Sequence, residues 1–242
     1  MHALKNTIKL LASKLGYDVR RTGTLRLSPF TDMKQFVPIG TSPLILDVGA
    51  NVGQCVNRFK EAFPSSIIHS FEPSPETFQK LSRNLSGKKG VLPWNFAVGA
   101  SVCKQKFPEN TNSDMSSFLE LSTTGWGKVT KESVVEVITV DRFLEDQNIA
   151  YVDILKSDTQ GYELEVFKGA EKAMRNNQIG LVYFEFIFSD MYKKLPSFDE
   201  VFRYLIDRNF SLVSTYEFQY QNRLASWCDV LFVNKEYYSK ST

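Results

Sequence analysis

The segment Asp47-Val48-Gly49-Ala50-Asn51-Val52-Gly53 constrains this chain more than any other stretch; the apolar run Leu44-Ile45-Leu46 precedes it and a helical pattern follows it. A strand that ends in a glycine-rich turn and passes straight into a helix belongs to an open α/β sheet, in which ligands bind outside the carboxyl ends of the strands. One strand further on comes Phe71-Glu72-Pro73. An acidic side chain about 20 positions beyond the turn is placed to accept hydrogen bonds from both hydroxyls of a ribose. The pattern describes a nucleoside-binding crevice. A glycine turn that only packs a strand on a helix is the alternative, and the flanking elements together with Glu72 weigh against it.

What the turn lacks narrows the ligand. The dinucleotide fingerprint G-x-G-x-x-G needs its second glycine so that a pyrophosphate can lie against bare backbone, and Asn51 stands at that position. An asparagine side chain intrudes on a pyrophosphate but leaves room for a nucleoside cofactor without phosphates, such as S-adenosylmethionine, to which it can hydrogen-bond. A P-loop is excluded because Gln54 follows Gly53 and no Gly-Lys-Ser/Thr triplet follows.

The rest of the chain keeps the rhythm of such a sheet. Leu44–Val48 predicts the first strand, and the helix after the turn carries its apolar face on Val52, Cys55, Val56, Phe59, Ala62 and Phe63 before Pro64 stops it. Ile67–Phe71 reads as the second strand. Ser74 caps a helix with Pro75 at its first position, Phe78, Leu81 and Leu85 inward and Gly87 at its end. Val91–Val98 and Ile154–Ser157 supply a third and a fourth strand, Tyr162–Arg175 a helix, and Leu181–Phe188 a buried central strand. Ser197 and Glu200 form a capping box for one more helix, ended by Asn209; the strands near Ser211–Tyr216 and Asp229–Val233 then pair as an antiparallel C-terminal hairpin. The fold class is α/β, a doubly wound, mostly parallel sheet. Residues 100–140 interrupt it with a polar run at Asn110–Ser117, then Gly125-Trp126-Gly127, then an alternating strand at Val135–Val140. So long a connection inside a compact domain reads as a cover over the ligand site, with an inert surface insertion as the alternative.

Composition sets the outer limits. With 242 residues, 43% of them hydrophobic, the chain can bury a core without staples. Cys55, Cys103 and Cys228 form no C-x-x-C pair, which suits reduced thiols and a cytoplasmic setting. Residues 1–40 carry seven Lys/Arg and two Asp, so this lead-in segment is basic while residues 41–242, read as the sheet domain, are slightly acidic. Leu4, Ile8, Leu11 and Leu15 recur at helical spacing with lysines elsewhere. The N-terminal helix this predicts either packs on the domain or makes peripheral contact with an anionic membrane. No run approaches the roughly 20 apolar residues of a membrane span. Lysines at 5, 9 and 14 interrupt any leader-like core. No aromatic and basic cluster marks a nucleic-acid surface.

Five motifs in order carry a resemblance to a known family: Asp47–Gly53, Phe71–Phe78, Asn95–Gly99, Val137–Asp141 and Leu155–Glu163. Together they resemble the FkbM-family S-adenosylmethionine-dependent methyltransferases over about residues 44–188. The resemblance implies a Rossmann-like class I methyltransferase fold, a seven-stranded sheet with helices on both faces. It also implies an O-methyltransferase acting on a hydroxyl of a sugar, a glycan or a secondary metabolite. Gln160 departs from the acidic residue that many members carry there, so no acid-base role is assigned to it.

The expected cofactor site comprises Asp47, Gly49, Asn51 and Gly53 around the methionyl end, Glu72 as the ribose clamp, Pro73 and Ser74 along the adenosine, and Asn95 or Ala97 against the adenine. Asn95 reads equally well as a strand-end residue tying down backbone. Of the two histidines, His2 is terminal and His69 lies inside a strand, which argues against histidine or zinc chemistry. The catalytic candidates are the groups at the ends of the fourth and fifth strands: Asp158 as general base, Lys156 orienting it, and Glu185, with Glu163 nearby. Asp158 and Glu185 are also the oxygen donors that would suit a magnesium ion. A catalytically silent cofactor-binding protein, and less so a nicotinamide oxidoreductase, are the competing functions.

Overall fold

The computed structural model describes residues 11, 12, 14, 15 and 28–241. Ten strands form: β1 (Leu44–Val48), β2 (Ile67–Phe71), β3 (Val91–Trp94), β4 (Ala97–Val98), β5 (Cys103–Asn110), β6 (Val129–Ile138), β7 (Val152–Ser157), β8 (Ile179–Ile187), β9 (Phe210–Gln221) and β10 (Leu224–Asn234). Seven make one sheet in the order β3-β2-β1-β7-β8-β10-β9. All pairs from β3 to β8 are parallel, and β10 runs antiparallel to both β8 and β9. This is the doubly wound sheet with an antiparallel C-terminal hairpin that the sequence implies. The chain reverses its direction of winding between β1 and β7, so the crevice for a ligand opens where those two strands end.

The apolar strands are buried on both faces because alternate side chains enter different layers. Ile45, Ile154 and Leu181 join one core with Phe59 and Leu81, while Leu46, Leu155 and Val182 join the other with Phe143 and Phe167. Eight helices cover the faces among the described residues: α1 (Pro29–Met33), α2 (Gln54–Ala62), α3 (Pro75–Leu85), α4 (Val140–Asp146), α5 (Glu163–Lys168), α6 (Glu171–Arg175), α7 (Phe198–Ile206) and α8 (Lys235–Ser241).

Several elements differ from the sequence expectation for tertiary reasons. Val91–Val98 is two strands: Asn95 turns its side-chain amide onto the carbonyls of Glu72 and Pro73, and Ala97–Val98 leaves to join β6 and β5 in a second, three-stranded sheet. Tyr162–Arg175 is two helices. Gly169 lies so close to the backbone of Gly99 that a Cβ there would meet the Gly99 carbonyl, and Asp141 caps α6 by accepting from Lys172 N and Ala173 N, both at 2.9 Å. The C-terminal hairpin is longer than expected, turning at Asn222–Arg223 with positive φ at both residues, the geometry of a tight hairpin turn.

The 100–140 insertion is built on an antiparallel pair, β5 and β6, with a 3-10 turn at Ser113–Met115 in the long connection between them. Asn110 knits its tip, donating to Trp126 O at 2.8 Å and accepting from Asn112 N at 3.0 Å. Residues 29–37, placed by sequence in the lead-in segment, pack into the domain: Phe30 meets Phe59 edge to face at 5.1 Å, Met33 is fully buried, and Tyr216 OH donates to Asp32 at 2.7 Å. The helix expected across Leu4–Leu15 lies outside the described residues apart from Leu11, Ala12, Lys14 and Leu15. No helix among the described residues is long and apolar enough to cross a membrane.

Candidate active site

The turn after β1 is built by backbone contacts. Gly49 N and Ala50 N both donate to Phe71 O, at 3.1 and 2.9 Å, which holds the turn against the end of β2. Gly49 has φ +73°, and a Cβ on it would clash with the backbone carbonyl of Asp158. Gly53, at φ +94°, would press a Cβ onto Leu81 and Leu85 at 3.2 Å. Both glycines therefore serve close packing of chain on chain, one against the β7 loop and one against α3, rather than room for a ligand. Asn51 adopts φ +46°, donates its backbone N–H to Glu72 Oε2 at 3.0 Å and accepts from Ser113 Oγ at 3.1 Å, joining the turn to the insertion.

A cavity of about 460 Å³ opens beyond this turn. Of the nine residues expected around the cofactor, Gly49, Asn51, Glu72, Pro73 and Ala97 line it, whereas Asp47, Gly53, Ser74 and Asn95 do not. Asp47 is enclosed beneath the turn. Ser74 points the other way, capping α3 through Thr77 N at 3.2 Å and donating to Glu109 at 2.6 Å, and Ser133 and Lys131 also engage Glu109. Asn95 ties down backbone, the second of the two roles open to it. Glu72 stands at the mouth of β2 with one backbone donor on each oxygen, Asn51 N and Ser74 N, at 3.0 and 2.9 Å. Burial pushes its carboxyl up to about 7 against the pull of those two bonds.

The far end of the cavity holds the other candidates. Lys156 Nζ lies 3.0 Å from Asp47 Oδ1, donates to Gly49 O at 3.0 Å and Val48 O at 3.3 Å, and stands 3.7 Å from Asp158 Oδ2. Burial alone would lower its pKa; the carboxylates of Asp47 and Asp158 outweigh that and keep the ammonium charged. Asp158 is the more open carboxylate, 42% exposed, and faces the cavity. Gln160 Nε2 donates to Asp158 Oδ1 and to Glu185 Oε1, both at 3.0 Å, while its Oε1 lies 3.3 Å from the Tyr192 hydroxyl, which bonds the Met115 carbonyl at 2.8 Å. Burial, then the charges of Asp158, Glu163 and Asp229, hold Glu185 well above the usual carboxylate range, so it is protonated at neutral pH. Glu163 turns back onto Thr159 N and Oγ1 and lies outside the cavity wall.

This donor set does not fit a magnesium ion held by Asp158 and Glu185. The Gln160 amide nitrogen stands between the two carboxyls and presents protons where the ion would need further oxygen ligands. Among the described residues no group of three or more His, Cys, Asp or Glu side chains is assembled for a metal.

Much of the wall was not legible in the sequence. Phe96, Phe107, Phe118 and Tyr162 line one side, with Phe118 5.0 Å from both Phe107 and Tyr162. Tyr183, Trp227 and Asp229 come from the strands β8 and β10, and Trp126 from the insertion. Cys55 also lines the cavity, but burial pushes its thiol far above the ordinary value and leaves it inert. His69 lies outside it, accepting from Trp94 Nε1 at 3.0 Å.

Comparison with known proteins matches residues 47–212 to the Methyltransferase FkbM domain. Hexuronic acid methyltransferase AglP of Haloferax volcanii is 27% identical over 138 residues, covering 55% of this chain and 52% of that protein. 2-O-methyltransferase NoeI of Sinorhizobium fredii is 23% identical over 166 residues, covering 64% of this chain and 68% of that protein. The chain thus spans about half to two-thirds of these relatives' lengths. Among solved structures, an rRNA methylase from Streptococcus thermophilus is 13% identical with a TM-score of 0.49, covering 88% of this chain and 99% of that one. With a match that takes in more than half of the chain, including the β1 turn, Glu72 and Asp158, the chain belongs to the FkbM methyltransferase family.

Proposed function

We propose that this protein is an S-adenosylmethionine-dependent O-methyltransferase that modifies a hydroxyl of a sugar, glycan or secondary metabolite without a divalent ion. The observation that carries the reading is Glu72, whose two carboxylate oxygens each hold one backbone N–H and keep their remaining lone pairs toward the cavity. A ribose with two free hydroxyls satisfies that arrangement. Phe96, Ala97, Phe107 and Phe118 supply an apolar slot for the base, and the turn at Gly49–Asn51 leads toward Asp158.

S-adenosylmethionine, when bound, supplies a methyl group already activated on sulfur. The protein's task is to place an acceptor oxygen in line behind that methyl, exclude water and take one proton. Asp158 is the group positioned for the proton: with the cofactor bound, its carboxylate would accept the acceptor hydroxyl's proton as the methyl group passed from sulfur to that oxygen. Gln160 steers Asp158 and keeps Glu185 at a fixed distance from it. Lys156 anchors the floor beneath them. The insertion, tied to the turn through Ser113 and to the β7 loop through Ser117, closes the crevice from above. The name of one relative, a 2-O-methyltransferase, supports an oxygen acceptor, and that of another, a hexuronic acid methyltransferase, supports a sugar. Calorimetric titration with S-adenosylhomocysteine and with NAD, followed by labelled methyl transfer to a panel of glycosides, tests the proposal. Binding of S-adenosylhomocysteine alone and transfer to an oxygen is the expected result; NAD binding, or cofactor binding with no transfer, refutes it.

A further inference from the structure

The acceptor end of the cavity is short of positive charge. Glu72, Asp114, Asp158, Glu185, Glu217 and Asp229 line the cavity against two cations, Arg58 and Lys156. Both cations are largely engaged elsewhere, Lys156 reaching Asp158 at 3.7 Å and Arg58 acting only weakly on Asp229. Lys156 is committed to the fully buried Asp47, and the Arg58 guanidinium lies 4.4 Å above the Phe30 ring and 3.8 Å from Glu217. Among the described residues Asp114, Glu185 and Asp229 take part in no ion pair.

A second observation comes from the sheet itself. Asp229 on β10 and Glu185 on β8 occupy directly opposed positions in an antiparallel pair, a placement that disfavours two like charges, so that Glu185 stays protonated and Asp229 carries the charge of the pair. Tyr183 OH donates to Asp229 at 2.6 Å and Gln160 to Glu185 at 3.0 Å, and Arg58 adds a weaker favourable charge to Asp229. Burial, then the charges of Asp158 and Glu217, push the Asp229 carboxyl up to about 6 against the pull of the Tyr183 bond. Beside this pair, Trp126 from the insertion and Trp227 from β10 meet edge to face at 5.5 Å, and both line the cavity. An indole face next to carboxylates is a surface that receives a cation or the C–H face of a sugar ring. S-adenosylmethionine would bring one net positive charge, fewer than the carboxylates that line the cavity.

We infer that the acceptor is a hydroxyl compound bearing a protonated amine, an amino sugar or comparable cationic polyol, whose ammonium lies against the Asp229 carboxylate with the protonated Glu185 beside it as a hydrogen-bonding neighbour. The inference rests on the methyltransferase reading and refines its acceptor. It sets this chain apart from a relative named for hexuronic acid, because a uronate carboxylate would meet the Asp229 carboxylate with the same sign of charge.

The test uses the full chain with three probes of equal size: methyl glucosaminide, methyl glucoside and methyl glucuronide. Binding to the protein saturated with S-adenosylhomocysteine and kcat/KM with S-adenosylmethionine are both measured at low ionic strength. The amine probe should exceed the uronate by at least about tenfold in both, and the gap should narrow with salt. Asp229→Asn keeps the Tyr183 bond and the side-chain shape; it should reduce the advantage of the amine severalfold while leaving S-adenosylhomocysteine affinity unchanged. Equal or better use of the uronate, no advantage of the amine over the neutral glycoside, an undiminished preference in Asp229→Asn, or no binding of any probe to the cofactor-loaded protein would overturn the inference. Failure to bind S-adenosylhomocysteine would instead overturn the methyltransferase reading, and this inference with it.

Discussion

Lys156 and Asp47 are paired in register on β7 and β1, and their side chains meet at 3.0 Å with 5% and 0% of their surfaces exposed. Lys156 also holds the carbonyls of Val48 and Gly49, so one ammonium fixes the end of β1 where the ligand turn begins. Lysine at this point is an anchor, and removing it leaves Asp47 as an uncompensated buried charge. Lys156→Met should therefore lower stability by about 3–5 kcal/mol, and adding Asp47→Leu should restore much of it. Urea unfolding of the two variants measures this. An unchanged midpoint for Lys156→Met, together with lost turnover, would place the lysine in the chemistry.

Gly49→Ala tests the same corner from the backbone side. The glycine has a positive φ, and its missing side chain admits the Asp158 carbonyl. The substitution should destabilise the fold by at least about 2 kcal/mol, moving the β7 loop and Asp158 with it. Thermal unfolding without ligand reads that loss directly. Normal stability with selective loss of S-adenosylhomocysteine binding would return the glycine to a ligand-clearance role.

These two cases also show where the sequence was legible and where it was not. The β1 turn, Glu72 and Asp158 were readable because each sits within a few residues of a strand end whose apolar run is unmistakable. Gly169 and Asn95 break expected elements through contacts with Gly99, Glu72 and Pro73, and local periodicity carries no trace of such contacts. Trp227 and Asp229 reach the cavity only because β10 inserts between β8 and β9, a pairing set by the whole sheet. Asp47 and Ser74 were placed in the right neighbourhood on the wrong side of the wall: one faces Lys156, the other caps α3.

Burial of carboxyls beneath and around the cavity predicts an unusual pH dependence. Glu72 and Glu163 are both pushed up to about 7, chiefly by burial, so the folded protein holds their protons more tightly than the unfolded chain does. The stability they contribute is present below the ordinary carboxylate range and is lost as pH rises through about 7. Burial lowers the pKa of His69, which works in the opposite direction, but only below its ordinary value of 6.5. The ligand-free protein should thus melt at a lower temperature at about pH 8.5 than at about pH 6.5, and Glu72→Gln should flatten the trend. Melting curves across that window decide it, and a melting temperature that rises with pH would contradict the assignment.

Cofactor affinity should run the other way with pH. Ribose hydroxyls donate to the ionised form of Glu72, so S-adenosylhomocysteine should bind more tightly as pH rises through about 7. Glu72→Ala, which deletes two bonds to a charged acceptor, should weaken binding by about 100-fold or more in a folded protein. Calorimetry at two pH values and on the variant checks both statements. PH-independent affinity, or near-normal binding by Glu72→Ala, would remove Glu72 from the ribose site.

The carboxylates at the far end separate binding from chemistry. Asp158→Asn preserves size and a hydrogen-bonding oxygen but cannot take the hydroxyl proton, and it leaves Glu72, at the end of another strand, untouched. It should keep S-adenosylhomocysteine affinity while kcat falls by about 100-fold or more. Because the Gln160 amide fills the space between Asp158 and Glu185, a chelator should leave wild-type turnover unchanged, and magnesium should not rescue Asp158→Asn. Gln160→Glu replaces that amide by a third carboxyl within reach of both neighbours. The like charge favours the protonated form of the base, so the acid limb of the pH–rate profile should shift to higher pH with cofactor affinity unaltered. In this variant alone, added magnesium should partly restore turnover, since three oxygen donors then converge on one point. Inhibition of the wild type by chelator would show that the amide moves aside for an ion and would reverse the metal-free reading; near-normal turnover of Asp158→Asn would move the proton to another group.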